Sequence, residues 1–367
     1  MKSRIAAPSI SLGFNSFSGI YLLGLFVLVF GIWTPHLFLT LATVQSVASQ
    51  QATTAMLAIA VLIPIAAGAY DLSVGATINL STIVCVWLQT VRGWSMWPSI
   101  AVAIAACVVV GIVNGFVIVR LRVNSFIATL GLGSIITAVQ DIVSGQNQPN
   151  PPTAASWSSL TQFSVAGFQI IVLYLLVLAV LVWWALDHTP AGRYLYAIGG
   201  NPEAARLAGV AVGRYTWWAM IASATVSGIA GVLYGSQTGP SLSFGAGLLL
   251  PAFAAVFLGS TQIRPGRFNL WGTMLAIYVL AVGVKGLQLI TGVQWLAEMF
   301  NGVALVGAVS FALSRQRRSE SRAARRTDAG AVTAAAAPDG AAVSLPAGPA
   351  GSGYDVSPVA SGASDVG

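Results

Sequence analysis

Residues 167–187 read GFQIIVLYLLVLAVLVWWALD, an apolar run that meets its first charge only at Asp187. A helix crosses the roughly 30 Å hydrocarbon core of a bilayer in about 20 residues, and this run has that length. It leads into GRYLYAIGGNPEAARLAG at 192–209, a polar island in a strongly apolar chain. A membrane span that ends in a short polar connector is the unit from which the chain is built.

Working outward, the unit recurs. No Asp, Glu, Lys or Arg occurs from Ile5 to Tyr70, from Gly93 to Val119, from Ile142 to Leu186 or from Tyr215 to Ile263. Hydrophobic residues make up 56% of the chain and charged ones 7%, with a mean hydropathy of +0.81. Soluble domains carry about 25% charged residues, so the class is an all-α polytopic membrane protein. About ten transmembrane helices are expected from this patterning. They fall near 18–39, 46–68, 72–91, 96–119, 125–145, 167–187, 215–237, 247–260, 268–290 and 295–314. The first is read as a retained helix, since it is too long for the apolar core of a cleavable signal and more spans follow.

Orientation follows from the bias of Lys and Arg toward the cytoplasm. With the N-terminus inside, Lys2 and Arg4, Arg120 and Arg122, Arg193, Arg206 and Arg214, Arg264 and Arg267, and the cluster from Arg315 to Arg318 all fall on that side. Arg92 and Lys285 fall at outer ends. An even number of spans with both termini cytoplasmic satisfies this distribution. It yields a cytoplasmic N-terminal segment at 1–17, a transmembrane domain at 18–314, a cytoplasmic loop at 188–214 and an external loop at 146–166. The formal net charge of +7 thus reports topology, and no nucleic-acid partner is expected. From 315 to 367 the chain is rich in Arg, then Ala, Gly, Ser and Pro, and cannot bury enough surface to order itself. A disordered cytoplasmic tail is expected there, its basic start near anionic membrane lipid.

Within the island the local physics is legible position by position. Gly200 precedes Asn201, a good N-cap; Pro202 suits the first helical position, and Glu203 complements the positive end of the dipole. Ala204, Ala205, Leu207 and Ala208 are small or apolar, Arg206 is the long cation, and Gly209 can close the helix in the left-handed region. A two-turn helix of about 10 Å results. Its two readings are a connecting loop and a knob that slots into a groove on another protein. The external loop QNQPNPPTAASWSSLTQFSVA at 146–166 contains Pro149, Pro151 and Pro152, which forbid a continuous helix. It is either a plain loop or a receiver for a partner that delivers substrate.

Several chemistries are excluded by the residues. A P-loop needs Gly-Lys-Ser/Thr, and the two lysines, Lys2 and Lys285, lie in no such context. His36 and His188 form neither a metal pair nor a triad. Cys85 and Cys107 fall inside expected spans and read as packing residues. No cofactor or metal is expected in the chain. Asp141, Asp187 and Glu298 lie near span ends, so an ion-coupled carrier has little support. Asp71, in GAYDLSVG at 68–75, sits at an interruption between two apolar helices, where it or Ser73 either caps the next helix or lines a path. Candidates for a polar path are Asp71, Ser73, Asn79, Asn114, Asn124 and Gln140. Each also suits an interhelical hydrogen bond.

Four blocks carry a family resemblance: YDLSVG at 70–75, GIVNGFVIVRLRVNSFIATLG at 111–131, TPAGRYLYAIGGNPEAARLAGV at 189–210 and SGIAGVLYGSQTGP at 227–240. In these the chain resembles the permease subunits of ATP-binding cassette importers for monosaccharides, the ribose permease type, in a superfamily with branched-chain amino-acid permeases. It departs from that pattern at Gly68-Ala69-Tyr70, at GSTQIRPGRFNLWGT (259–273) and at Lys285. The resemblance implies a bacterial inner-membrane subunit with no ATPase of its own, ATP and magnesium being held by a partner ATPase. It implies a second permease copy, most simply a homodimer, and a periplasmic or lipid-anchored binding protein that delivers the sugar. It also implies that 196–210 is the coupling segment that docks on the ATPase. A branched-chain amino acid is the alternative cargo within the superfamily.

Overall fold

The computed structural model describes residues 18–264, 266–293, 295–310 and 314. The expectations for 1–17, for the Arg315–Arg318 cluster and for the tail at 315–367 lie outside the described residues. One compact unit contains all the described elements.

The described residues are helical almost throughout. It runs α1 Ser18–Trp33, α2 Pro35–Phe38, α3 Leu41–Gln50, α4 Ala52–Ala66, α5 Val74–Thr90, α6 Met96–Val119, α7 Ser125–Ser144 and α8 Ala155–Gln162. After a small hairpin, β1 Ser164–Val165 and β2 Phe168–Gln169, come α9 Ile170–His188, α10 Pro190–Gly200, α11 Pro202–Leu207, α12 Val212–Thr238, α13 Phe244–Gly259 and α14 Leu270–Thr291. A final apolar helix, α15, covers Trp295–Ser310. Among the described residues, α6, α7, α9, α12 and α14 are long and apolar enough to cross a membrane, and α3 with α4 forms a sixth such unit, bent by 41°. Shorter apolar helices occupy Gly19–Trp33, Val74–Thr90, Phe244–Gly259 and Trp295–Ser310. The protein is an all-α polytopic membrane protein.

Two helices form the axis. All fifteen residues of α4 are buried, as expected of a helix that is apolar on every side. The 27-residue α12 lies against α4, α5 and α6. Its contact with α5 is close because small residues face each other: the Ser81 hydroxyl donates to the Gly228 carbonyl at 2.7 Å, and Thr82 Oγ1 donates to the Gly231 carbonyl at 2.6 Å. A side chain at Gly231 would collide with the Ile78 carbonyl oxygen. Close backbone approach with hydroxyl donors is how membrane helices associate when lipid tails are as apolar as leucine. Around this axis α6, α7 and α9 carry exposed Val109, Ile127, Ile135, Ile142, Leu176 and Leu181, a surface suited to lipid.

Along the spans and the external loop, the structure differs from the sequence reading in three places. The span expected at 46–68 is broken at Gln51; the carbonyl of Ser49 accepts from Gln237 Nε2 at 3.0 Å, so a backbone group freed at the break is satisfied from α12. The first expected helix, 18–39, breaks at Thr34, where Pro35 starts the short α2. The external loop at 146–166 is irregular through its prolines but then forms α8 and the hairpin, whose turn residues Ala166 and Gly167 both have positive φ. Since α9 joins this hairpin directly to α10, the α8 end and the α10 end lie at opposite ends of the bundle.

Candidate functional site

At the α10 end, the island folds as two helices. Asn201 has extended backbone, and its Oδ1 accepts from the Ala204 N–H at 2.9 Å; Pro202 opens α11. Glu203 and Arg206 pair at 3.0 Å on the exposed surface, a contact that contributes little stability. Closure follows the Schellman pattern: Gly209 has φ +83°, its N–H donates to the Arg206 carbonyl, and the Val210 N–H donates to the Ala205 carbonyl, both at 3.0 Å. Only Ala205 turns inward; Leu207 is 89% exposed, an apolar side chain at the tip of a knob with nothing over it among the described residues.

The knob stands on α10, and α10 is fastened twice. Gly199 packs backbone to backbone against the end of α4: a Cβ there would collide with the Ala66 carbonyl oxygen and lie 3.2 Å from the Gly68 nitrogen. Farther back, the Arg267 guanidinium lies 3.6 Å from the centre of the Tyr196 ring and pairs with Asp187 at 3.3 Å, while Arg264 pairs with Asp187 at 3.0 Å. The Tyr196 hydroxyl donates to the Phe268 carbonyl at 2.8 Å. Burial pushes its pKa up, with the Arg267 charge pulling the other way, so it stays protonated and donating at neutral pH.

Gly68, with φ +74°, turns the chain out of α4 and into the segment that carries Asp71. Asp71 is wholly buried. Its Oδ1 accepts from the Ser73 N–H at 3.0 Å and the Ser73 hydroxyl at 2.6 Å, and its Oδ2 accepts from the Ser223 hydroxyl on α12 at 2.9 Å. The Ser73 oxygen in turn accepts from Asn114 Nδ2 on α6 at 2.7 Å. The irregular backbone on either side is held by α7: the Tyr70 N–H donates to Ser125 Oγ and the Leu72 N–H to Thr129 Oγ1, each at 3.0 Å. One carboxylate thus ties together the start of α5, α6 and α12.

A second polar cluster lies along α5. Asn79 Nδ2 and Gln140 Nε2 both donate to the Leu242 carbonyl, at 2.9 and 3.0 Å, and Asn79 Oδ1 accepts from the Gly245 N–H at 2.9 Å. These bonds clasp the connector between α12 and α13. Beside them Gly75 and Gly245 meet backbone to backbone, so the first turns of α5 and α13 converge. The carbonyl oxygens of Asn114 and Gln140 are buried and without a partner among the described residues, leaving an acceptor free in each cluster.

Residues 43–309 match the family described as "Branched-chain amino acid transport system / permease component". The chain belongs to this permease family. Its curated relatives include the fructose import permease protein FrcC of Rhizobium meliloti, 27% identical over 77% of this chain and 81% of that protein. The autoinducer 2 import system permease protein LsrC of Enterobacter sp. (strain 638) is 30% identical over 68% of this chain and 74% of its own length. The ribose import permease protein RbsC of Escherichia coli (strain K12) is 28% identical over 74% and 86% respectively. No solved structure matches the chain.

Of the path candidates expected in this permease, Asp71, Ser73 and Asn114 form one hydrogen-bonded cluster, and Asn79 with Gln140 forms the other. Asn124 belongs to neither. It caps α7 by accepting from the Phe126 N–H at 3.0 Å and is exposed. Ser223, Ser125 and Thr129 were not singled out from sequence. Each is one hydroxyl among several in an expected span, and only packing distinguishes those that meet Asp71 or its flanking backbone.

Proposed function

We propose that this permease is the membrane-spanning subunit of an importer driven by a separate ATP-binding cassette ATPase, and that it carries a monosaccharide delivered by an extracytoplasmic binding protein. The observation that carries the reading is the exposed, doubly capped α11, whose supporting helix presses on Ala66 at the end of α4 and on Gly68, three residues before Asp71. A motor gripping α11 would move Gly199 against Ala66 and Gly68, and so shift the segment that joins α5, α6 and α12. The curated relatives named for ribose and fructose favour a sugar. Buried amide and hydroxyl groups beside apolar surface suit hydroxyl-rich cargo held weakly enough to be released. The ten-span topology with both termini inside, the inner-membrane location and pairing with a second copy belong to the same proposal. A branched-chain amino acid is the second reading, prompted by the family description. Against it, the Asp71 cluster holds no cation to receive the cargo's carboxylate.

The test uses the complete complex in vesicles. With Glu203→Arg or Gly209→Leu, binding-protein-stimulated ATP hydrolysis and sugar uptake are expected to fall by roughly tenfold, the loss of about 1.4 kcal/mol of coupling. Wild-type stimulation with normal uptake in both variants would overturn coupling through α11.

A further inference from the structure

We propose that the chain holds an anionic phospholipid at the α10 end of the bundle, in a cavity between α6 and α12 that the transport reading does not use. This cavity is an open groove of about 690 Å³, lined by Arg120, Arg122, Arg214, Trp217, Trp218 and Ile221, among others. Its size falls within the range that accommodates small organic ligands. Arg120, Arg122 and Arg214 sit at or just beyond the ends of α6 and α12, and Ile112, Trp217, Trp218 and Ile221 lie farther along the same helices, an order that matches a phosphodiester headgroup followed by acyl chains.

The three cations lack internal compensation. The ion pairs among the described residues join Glu203 to Arg206 and Asp187 to Arg264 and Arg267, and none includes Arg120, Arg122 or Arg214. Asp71 is already engaged by two serines. Arg122 also adopts φ +57°, uncommon for a long side chain, in the turn between α6 and α7 while still lining the cavity. The floor is built rather than incidental. Trp217 lies in the notch left by Gly115, where any side chain would collide with the indole, and packs edge-on to Phe116 with ring centres 6.4 Å apart. Trp218 remains 60% exposed beside it, as an interfacial indole that meets lipid would be. Guanidinium forks match phosphate oxygens in pairs, and a zwitterionic headgroup would bring an extra positive charge against them.

The full chain is reconstituted with equal phosphatidylglycerol and phosphatidylcholine, and retained lipid is counted by native mass spectrometry. Phosphatidylglycerol is expected to be retained selectively. Each cation near an anionic surface contributes about fivefold, so Arg120→Gln, Arg122→Gln and Arg214→Gln together should lower retention by about a hundredfold. The corresponding triple replacement by Lys keeps the charge but not the paired forks, so its retention should fall between the wild type and the Gln variant, and Trp218→Ala, at an exposed position, should lower the number of lipids retained without altering headgroup choice. Equal retention by the wild type and the Gln variant would overturn the proposal. So would equal retention of phosphatidylcholine, and so would displacement by inorganic phosphate alone, which would show a free-anion site.

Discussion

Asp71 shows how much one residue can hold together in a low-dielectric interior. Its two oxygens receive the Ser73 N–H and the Ser73 and Ser223 hydroxyls, so truncation strands several donors that water cannot reach. Each stranded buried group costs about 1–3 kcal/mol. Asp71→Ala is therefore expected to destabilise the chain by about 3 kcal/mol or more. Asp71→Asn keeps one oxygen for Ser73, and the Ser223 hydroxyl can turn to accept from the new amide, so it should lose less than half as much. Thermal unfolding in detergent measures both; equal losses would show that the charge rather than the hydrogen bonding matters. Sequence placed Asp71 at an interruption between apolar segments but did not identify Ser223. That partner lies 152 positions away and becomes visible only when α12 packs on α5.

Elements were legible in proportion to how local their chemistry is. The cap at Asn201, the proline at 202 and the closing Gly209 act within one turn, and the structure reproduces that expected helix with its hydrogen bonds. Breaks decided by distant partners were not legible: Gln237, 188 positions away, satisfies Ser49 beside the Gln51 break. Nor did sequence reveal that α10 bears on the end of α4 through glycines with no room for a side chain. That joint yields a prediction. Gly199→Val must push α10 away from Ala66, because the obstacle is backbone and cannot rotate aside. The knob itself, capped by its own residues, should stay folded. Binding of the ATPase is therefore expected to persist while its stimulation by cargo falls about tenfold, a separation of docking from transmission worth about 1.4 kcal/mol. Pull-down of the ATPase alongside ATP turnover in the same vesicles reads the two separately. Joint loss of both would place Gly199 in folding instead.

Over the whole molecule, the apolar exterior and the position of the cations determine how the bundle sits in a bilayer. Arg120, Arg122, Arg193, Arg206, Arg214, Arg264 and Arg267 belong to the connectors and helix ends around α10 and α11, whereas the opposite end carries α8 and the hairpin. In the proposed orientation, with these arginines toward the cytoplasm, the knob faces the cell interior, within reach of an ATPase. Two engineered cysteines test this directly. Cys85 and Cys107 are fully buried, so the background from native thiols should be low without removing them. Leu207→Cys, at the exposed tip of α11, should react with a membrane-impermeant maleimide only after the cells are opened. Asn147→Cys, on the exposed connector before α8, should react in intact cells. The two positions flank α9, whose 19 residues span about 28 Å, so their labelling must be opposite if that helix crosses the membrane once. Labelling of Leu207→Cys in intact cells would place the knob outside, beyond the reach of any nucleotide-hydrolysing partner, and the proposed coupling would have no source of force.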